Sequence, residues 1–285
     1  MLSATMNSMS AIRLGTRAST LATTQSEMVA GMLRSEGLDV DLTTITTRGD
    51  TSTTSLAAMG GIGVFASAIR ATLLKGEADI AVHSFKDLPT GRPLGLAIGA
   101  VPARADPRDA LVARDGLTLH DLPQEASVGT GSPRRAAQLL AVRPDLTIVD
   151  IRGNVDTRLG RVKGLGHYAK GGGKEDLDAV VLAASGLARL GHSGTVTEFL
   201  DPSVVLPAPA QGALAVECRT ADSRHGKLAK ALARIDDRRT RLAATAERAV
   251  LSHLEAGCAA PIGALAQLKP VSGSSPQVLT LDVVV

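Results

Sequence analysis

A chain of 285 residues, 44% hydrophobic and 21% charged, is too long for one small core and too apolar for disorder, so it implies two or three folded domains. A formal net charge of +3, with three Phe, one Tyr and no Trp, excludes a strong global pull on nucleic acid or membrane and removes the stacking platforms of a single-strand binder. No run approaches the ~18 apolar residues of a membrane span.

The first ten residues, MLSATMNSMS, lack the basic region and apolar core of a signal peptide. With no export signal, the two cysteines, Cys218 and Cys258, are expected as reduced thiols in a cytoplasm. Residues 12–16 read as a first strand. Ser19 then caps a helix to about residue 36, with Leu21, Met28, Val29, Met32 and Leu33 on its buried side and Gly37 ending it. Residues 38–46 alternate and are β-branched, a strand. The polar, Gly-rich stretch 47–63 is expected as a lid-like loop, and 64–75 as a helix closed by Gly76.

Residues 78–90 (ADIAVHSFKDLPT) organise the first half of the chain. An apolar run of strand type delivers Ser84, Lys86 and Asp87 onto a loop closed by Pro89, where open α/β sheets place ligand chemistry. Two readings fit it: a surface Lys–Asp turn, or a partly apolar site whose carboxylate steadies a developing cation. A strand over 96–101 follows. Strand and helix alternate, which predicts a largely parallel α/β layer.

Residues 102–107 form a Pro-rich crossing into a second α/β unit, with strands at 109–113, 126–129, 146–151 and 177–182. The Gly- and Lys-rich insert 164–176 is expected as an exposed loop. A second Pro-rich crossing, 201–211, leads into a strand over 212–217. Two crossings mean the chain leaves the first domain, builds the second and returns, which makes a hinge over a cleft. Two helical patterns from 221 and strand-like stretches at 262–268 and 278–285 complete a small α+β unit. The expected division is 1–102 plus 207–220, then 103–206, then 221–285.

In Gly129-Thr130-Gly131-Ser132-Pro133-Arg134-Arg135, Ser132 takes an N-cap position and Pro133 fits the first helical position. Two arginines in a first turn oppose the helix macrodipole by ~0.3–1 kcal/mol each. That cost implies a nearby anion, so the motif reads either as a carboxylate or phosphate site or as a solvated basic face. Arg152 and Arg158 repeat the theme. From 130 to 163, seven Arg or Lys face three Asp, opposite Arg17 and Lys86, so a polyanionic ligand is expected. No HExxH and no Cys/His cluster is present, which leaves a metal site without support, and the six His are scattered. Cys258 follows a helix whose one face is Leu242, Ala246, Ala249, Val250, His253 and Leu254, with Gly257 as its left-handed stop. The negative end of that helix raises a thiol pKa, so Cys258 reads as a structural cysteine or as an anchor alkylated once. Cys218 reads as a core thiol.

Taken in order, IRLGTRASTLA, HSFKDLPT, GTGSPRR, IRGNVDTRL, LAASGLARL, LPAPAQGALAVECR and GCAAPIG carry a resemblance over nearly the whole chain. The sequence resembles the porphobilinogen deaminase (hydroxymethylbilane synthase) family. That resemblance implies α/β architecture: two domains similar to the lobes of periplasmic binding proteins, joined by a double-linker hinge, plus a small α+β domain. It implies a dipyrromethane cofactor joined by a thioether to Cys258. It also implies head-to-tail condensation of four porphobilinogen molecules with loss of ammonia, through an electrophilic azafulvene, to hydroxymethylbilane for tetrapyrrole biosynthesis. Asp87 matches the catalytic carboxylate. Ser84, Lys86, Thr130, Ser132, Arg134, Arg135 and Arg152 match cofactor contacts, and Arg17, Ser19, Gln25, Phe65, Arg158 and Arg189 match substrate-side positions. A cytoplasmic monomer acting on a small molecule, with no nucleic-acid, membrane or metal partner, is expected. The alternative is a two-lobed anion-binding or sensory module without catalysis. The sequence departs from the family at Ile62, Gly131, Pro133 and Ala210, where lysine, serine, leucine and glycine are more usual. It runs 27 residues past Cys258, from which a third domain with a less covered sheet face is expected.

Overall fold

The computed structural model describes residues 11–45, 63–91, 93–257, 260–270 and 277–285. The expected lid-like loop, apart from Gly63, lies outside these residues, as do Ile62, Cys258 and the side chain of Phe65.

A first sheet collects β1 (Ile12–Thr16), β2 (Val40–Thr44), β3 (Ile80–Ser84) and β4 (Leu96–Ala100) with β10 (Leu214–Arg219), in the order β2-β1-β3-β10-β4. The first three are parallel, and β10 runs antiparallel between β3 and β4. The first four residues of β3, Ile80 to His83, are all buried, as a strand in the middle of a covered layer requires. Helix α1 (Thr20–Ser35) starts where Ser19 accepts from the Ala22 amide, and it stops at Gly37 with φ 81°. Its inward face departs from expectation: Met28 is 41% exposed, whereas Gln25 and Ser26 are buried. Ser26 donates to Thr16 Oγ1 at 2.8 Å, and Gln25 Nε2 reaches Ser84 Oγ at 2.9 Å. The helix therefore turns polar groups, not methionine, toward the end of the sheet. Helix α2 (Gly63–Leu74) closes at Gly76, as expected.

The second sheet repeats the pattern with β5 (Asp109–Ala113), β6 (Ser127–Gly129), β7 (Thr147–Val149), β8 (Ala179–Ala183) and β9 (Glu198–Phe199), in the order β7-β6-β8-β5-β9. Again three parallel strands are followed by an antiparallel one, here β5. Helices α3 (Pro133–Val142), α4 (Val155–Leu159) and α5 (Ala184–Arg189) accompany it. The crossings leave β4 for β5 and return from β9 to β10, so they run side by side. The Ala105 amide bonds the Gly212 carbonyl at 3.3 Å. A Cβ on Gly212 (φ 87°) would stand 2.5 Å from the Ala105 carbonyl oxygen, so the close approach requires glycine.

Helix α6 (Gly226–Ile235) packs Ala231 and Leu232 into the first sheet's core. Helix α7 (Arg238–His253) then leads toward a hairpin of β11 (Gly263–Pro270) and β12 (Gln277–Val284). Two expectations for α7 are corrected. Its buried face is Thr240, Ala243, Ala244, Glu247 and Leu251, while Leu242 and Leu254 are exposed. It also ends at His253, with Glu255 rather than Gly257 in the left-handed region (φ 50°). The buried stripe is organised by one acid: Glu247 is fully buried and bonds Arg104 and the amides of Ala210 and Ala266. On β12, Val278, Leu279, Leu281 and Val283 remain 38–50% exposed.

Candidate functional site at the interlobe cleft

β3 ends in a 3-10 turn, Phe85–Asp87. Phe85 is buried and its amide bonds the Ala213 carbonyl at 3.0 Å, while the Leu88 amide closes the turn on the Phe85 carbonyl at 3.3 Å. With the aromatic ring pinned inward, Lys86 is part-buried and Asp87 is exposed. Asp87 lines a cleft of about 320 Å³ together with Arg17, Ser19, Gln25, Ser84 and Arg158. Five of these six residues come from the first lobe and Arg158 comes from α4 of the second. Val82, Leu88 and Ile69 give the same cleft its apolar wall.

Beneath the cleft a chain of polar contacts crosses from lobe to lobe. Lys86 Nζ donates to Gln211 Oε1 at 3.1 Å, and Gln211 Nε2 donates to Asp109 Oδ1 and to the Pro107 carbonyl, each at 2.8 Å. Asp109 also receives Arg134 Nη2 and Arg135 Nη2 at 2.7 Å. This corrects the alternative reading of Arg134 and Arg135 as a solvated basic face. Both are buried, and the anion that offsets their place in a helix first turn is the protein's own Asp109. Burial opposes ionisation of Asp109, but the Arg135 and Arg134 charges outweigh it and hold the carboxyl well below the usual range. Burial pushes the Lys86 ammonium down to about 8, with Asp87 partly offsetting the fall.

The basic stretch 130–163 is likewise less open than its composition implied. Arg143 is spent on Asp145, Arg161 on Asp176 and Lys163 on Asp178. Arg152 is exposed, 3.8 Å from Asp150. Thr130 is buried and accepts from the Ser132 amide at 3.2 Å; Ser132 heads α3 without a side-chain cap bond. Thr130, Ser132 and Arg152 are not among the described residues lining the cleft. Gly131 is sterically demanded, because a Cβ there would meet the Ile151 carbonyl oxygen at 2.6 Å.

Arg158 and Arg189 differ from this paired set. Arg158 donates to the Gly153 carbonyl at 2.9 Å, and burial followed by the neighbouring Arg135 lowers its pKa. Arg189 donates to the Gly212 carbonyl at 2.7 Å across the crossing, its Nε is buried without a hydrogen-bond partner, and burial pushes it down to about 10. Cations held this way, with one orphaned donor, fit a bound group that carries carboxylates. No group of three or more potential metal-ligating side chains occurs among the described residues. No helix among them is long and apolar enough to cross a membrane.

Asp109 and Gln211 escaped the sequence reading. The signal for Asp109 was present: a charge at the head of a strand whose other residues are all apolar must be paired. Glu217 carried the same signal on β10, where it is buried and receives Arg70 Nε at 3.0 Å.

Two α/β lobes with a polar cleft between them, lined by one exposed carboxylate from the first and by Arg158 from the second, define a two-lobed protein with an interlobe site of small-molecule size. Residues 12–227 match the family model of porphobilinogen deaminase, dipyromethane cofactor binding domain, and residues 241–285 match porphobilinogen deaminase, C-terminal domain. Porphobilinogen deaminase of Cutibacterium acnes is 96% identical over 97% of this chain and 83% of its own length. That of Micrococcus luteus is 55% identical over 95% of this chain and 77% of its own. Among solved structures, an ABC transporter periplasmic substrate-binding protein from Coxiella burnetii gives a TM-score of 0.45 at 16% identity, over 83% of this chain and 96% of that one. The chain belongs to the porphobilinogen deaminase family and contains its dipyrromethane cofactor-binding domain.

Proposed function

We propose that the chain condenses four porphobilinogen molecules head to tail, releasing ammonia, on a dipyrromethane primer joined by a thioether to Cys258, and yields hydroxymethylbilane for tetrapyrrole biosynthesis. The carrying observation is the cleft in which Asp87 shares one surface with Arg17, Ser19, Gln25 and Arg158 from both lobes. When bound, the cofactor supplies the free pyrrole end that is extended. Asp87, exposed at the mouth of an apolar-walled cleft, takes up and returns pyrrole N–H protons. The same carboxylate steadies the positive charge that develops on porphobilinogen as ammonia leaves. Arg17, Arg158 and Arg189 hold the acetate and propionate groups, for which planar forks are the matching donors. Ser19 and Gln25 orient the incoming ring, with Phe65 on the substrate side, and Ser84 is itself aligned by Gln25. Arg134 and Arg135 act through the Asp109–Gln211–Lys86 chain, keeping the cofactor side of the cleft positive. Thr130, Ser132 and Arg152 belong to that cofactor side.

The lobes correspond to 1–102 plus 207–220 and to 103–206, with 221–285 as the cofactor-bearing unit. The protein acts as a cytoplasmic monomer without nucleic-acid, membrane or metal partners. Intact mass of the purified protein tests the tether: a dipyrromethane-sized excess is expected, absent in Cys258→Ser. Asp87→Asn is expected to keep fold and cofactor and to lose turnover by ~10³-fold, the scale of a lost electrostatic stabiliser. Substantial condensation by that variant would overturn the role given to Asp87.

A further inference from the structure

The turn that carries Lys86 and Asp87 is not packed solidly from behind. On its far side lies a cavity of about 560 Å³, bounded by Phe85, Leu88 and Pro89 on one side and by Thr245, Arg248 and Ala249 of α7 on the other. One side chain spans it at the turn. Arg248 Nη1 donates to the carbonyls of Phe85 and Leu88, and Nη2 to the carbonyl of Pro89, each at 2.8 Å. Its guanidinium carbon also sits 4.6 Å from the centre of the Phe85 ring.

We infer that Arg248 is the positioning residue of the catalytic turn, fixing the Phe85–Pro89 backbone, and with it the Asp87 carboxylate, to helix α7. The inference rests on the reading of Asp87 given above. Three carbonyls in a five-residue stretch converge on one planar fork. A guanidinium meets that demand with rigid, divergent N–H vectors, and a lysine ammonium does not. The base of the clamp is itself fixed, because the preceding residue, Glu247, is fully buried and bonded to Arg104 and to the Ala210 amide at the two crossings. Arg248 also stands ten residues before Cys258 on the same run of chain. One helix thus holds the catalytic turn by its side, and its end at His253 stands five positions before the cysteine proposed to bear the cofactor.

The test compares full-length Arg248→Lys and Arg248→Gln with wild type and with Arg239→Gln, an exposed arginine on the same helix. Each protein is checked for cofactor by intact mass and for fold by thermal melting. Misplacing a catalytic group by about 1 Å can cost ~10²-fold, so Arg248→Gln is expected to lower kcat by ~30–100-fold with KM within about threefold. Arg248→Lys is expected to recover part of that loss, and Arg239→Gln to match wild type. Amide exchange at Leu88, which closes the turn, is expected to quicken in both Arg248 variants, a change a merely global effect would not confine to that site. Wild-type kcat in cofactor-loaded Arg248→Lys and Arg248→Gln would overturn the inference, as would unchanged Leu88 exchange. Should Arg248→Gln not fold, Arg248→Lys decides alone. Asp87→Asn measured alongside separates the two readings: turnover there with slow Arg248 variants removes the role of Asp87 and keeps the clamp, and the reverse pattern removes the clamp.

Discussion

Two pairs of arginines in the second lobe, identical in chemistry, have opposite surroundings. Arg134 and Arg135 are buried against Asp109, which is fully buried and reached through Gln211 from Lys86 of the first lobe. Arg158 and Arg189 are held on backbone carbonyls, with burial depressing both and an orphaned Nε on Arg189. The first pair shares one internal carboxylate and bridges, through Gln211, to the first lobe. The second is charged in excess and fits a ligand's carboxylates. Counting basic residues along 130–163 puts Arg158 in one class with the first pair; only the counter-ion separates them.

The sharpest way to break this comparison is to remove the counter-ion. Asp109→Ala strands two buried guanidinium groups and is expected to cost about 3–5 kcal/mol, read as a lower urea midpoint. Asp109→Asn should cost less, since a carboxamide still accepts hydrogen bonds. Because the folded carboxyl is held far below its unfolded value, its stabilisation is present above the ordinary carboxylate range and is lost only as pH falls through strongly acidic values. Near-wild-type stability of Asp109→Ala at neutral pH would place Arg134 and Arg135 with the ligand-facing class after all.

Much of this organisation was legible in the chain, and the illegible part has a common cause. The strand-to-turn passage at 80–87, the N-cap at Ser19, the stops at Gly37 and Gly76, and strand β5 were readable because backbone geometry and apolar period are local properties. The left-handed backbone at Ala210 (φ 62°) explains why glycine is the usual residue there, a conformational demand invisible in a lone alanine. The fate of the arginines was not readable, because Asp109 lies 25 residues before Arg134 and Gln211 lies 102 residues after Asp109. Helix α7 was misread for the same reason. A period of apolar residues selects Leu242 and Leu254, yet burial follows Glu247 and its long-range partners.

The second pair gives the middle-sized effect and sharpens the contrast. Arg158→Gln and Arg189→Gln remove cations that have no internal carboxylate partner among the described residues, so stability should stay within about 1 kcal/mol of wild type. Hydrogen bonds to a charged group are worth about 1.5–3 kcal/mol, so kcat/KM should fall ~10–100-fold in each. Paired urea melts and steady-state kinetics check both halves. A large stability loss with unchanged kinetics would move these arginines into the structural class.

The smallest effect concerns Lys86, which stands between the two regimes, bonded to Gln211 and next to Asp87. With its ammonium pushed down to about 8, the residue is mostly charged at pH 7 and begins to lose its proton one unit higher. The kcat/KM profile of the free enzyme should therefore bend downward near pH 8. The fall is at most about tenfold per pH unit, as for loss of a single proton. Unfolding at this residue does not produce that limb. Between about 8 and the ordinary lysine value the unfolded chain binds more protons at this position than the folded one, so the residue's contribution to stability rises with pH. Lys86→Arg, which stays protonated throughout, should move the descending limb out of the window while the melting temperature at pH 7 changes little. A limb that remains near pH 8 in Lys86→Arg would assign it to another group and detach Lys86 from the electrostatics of the cleft.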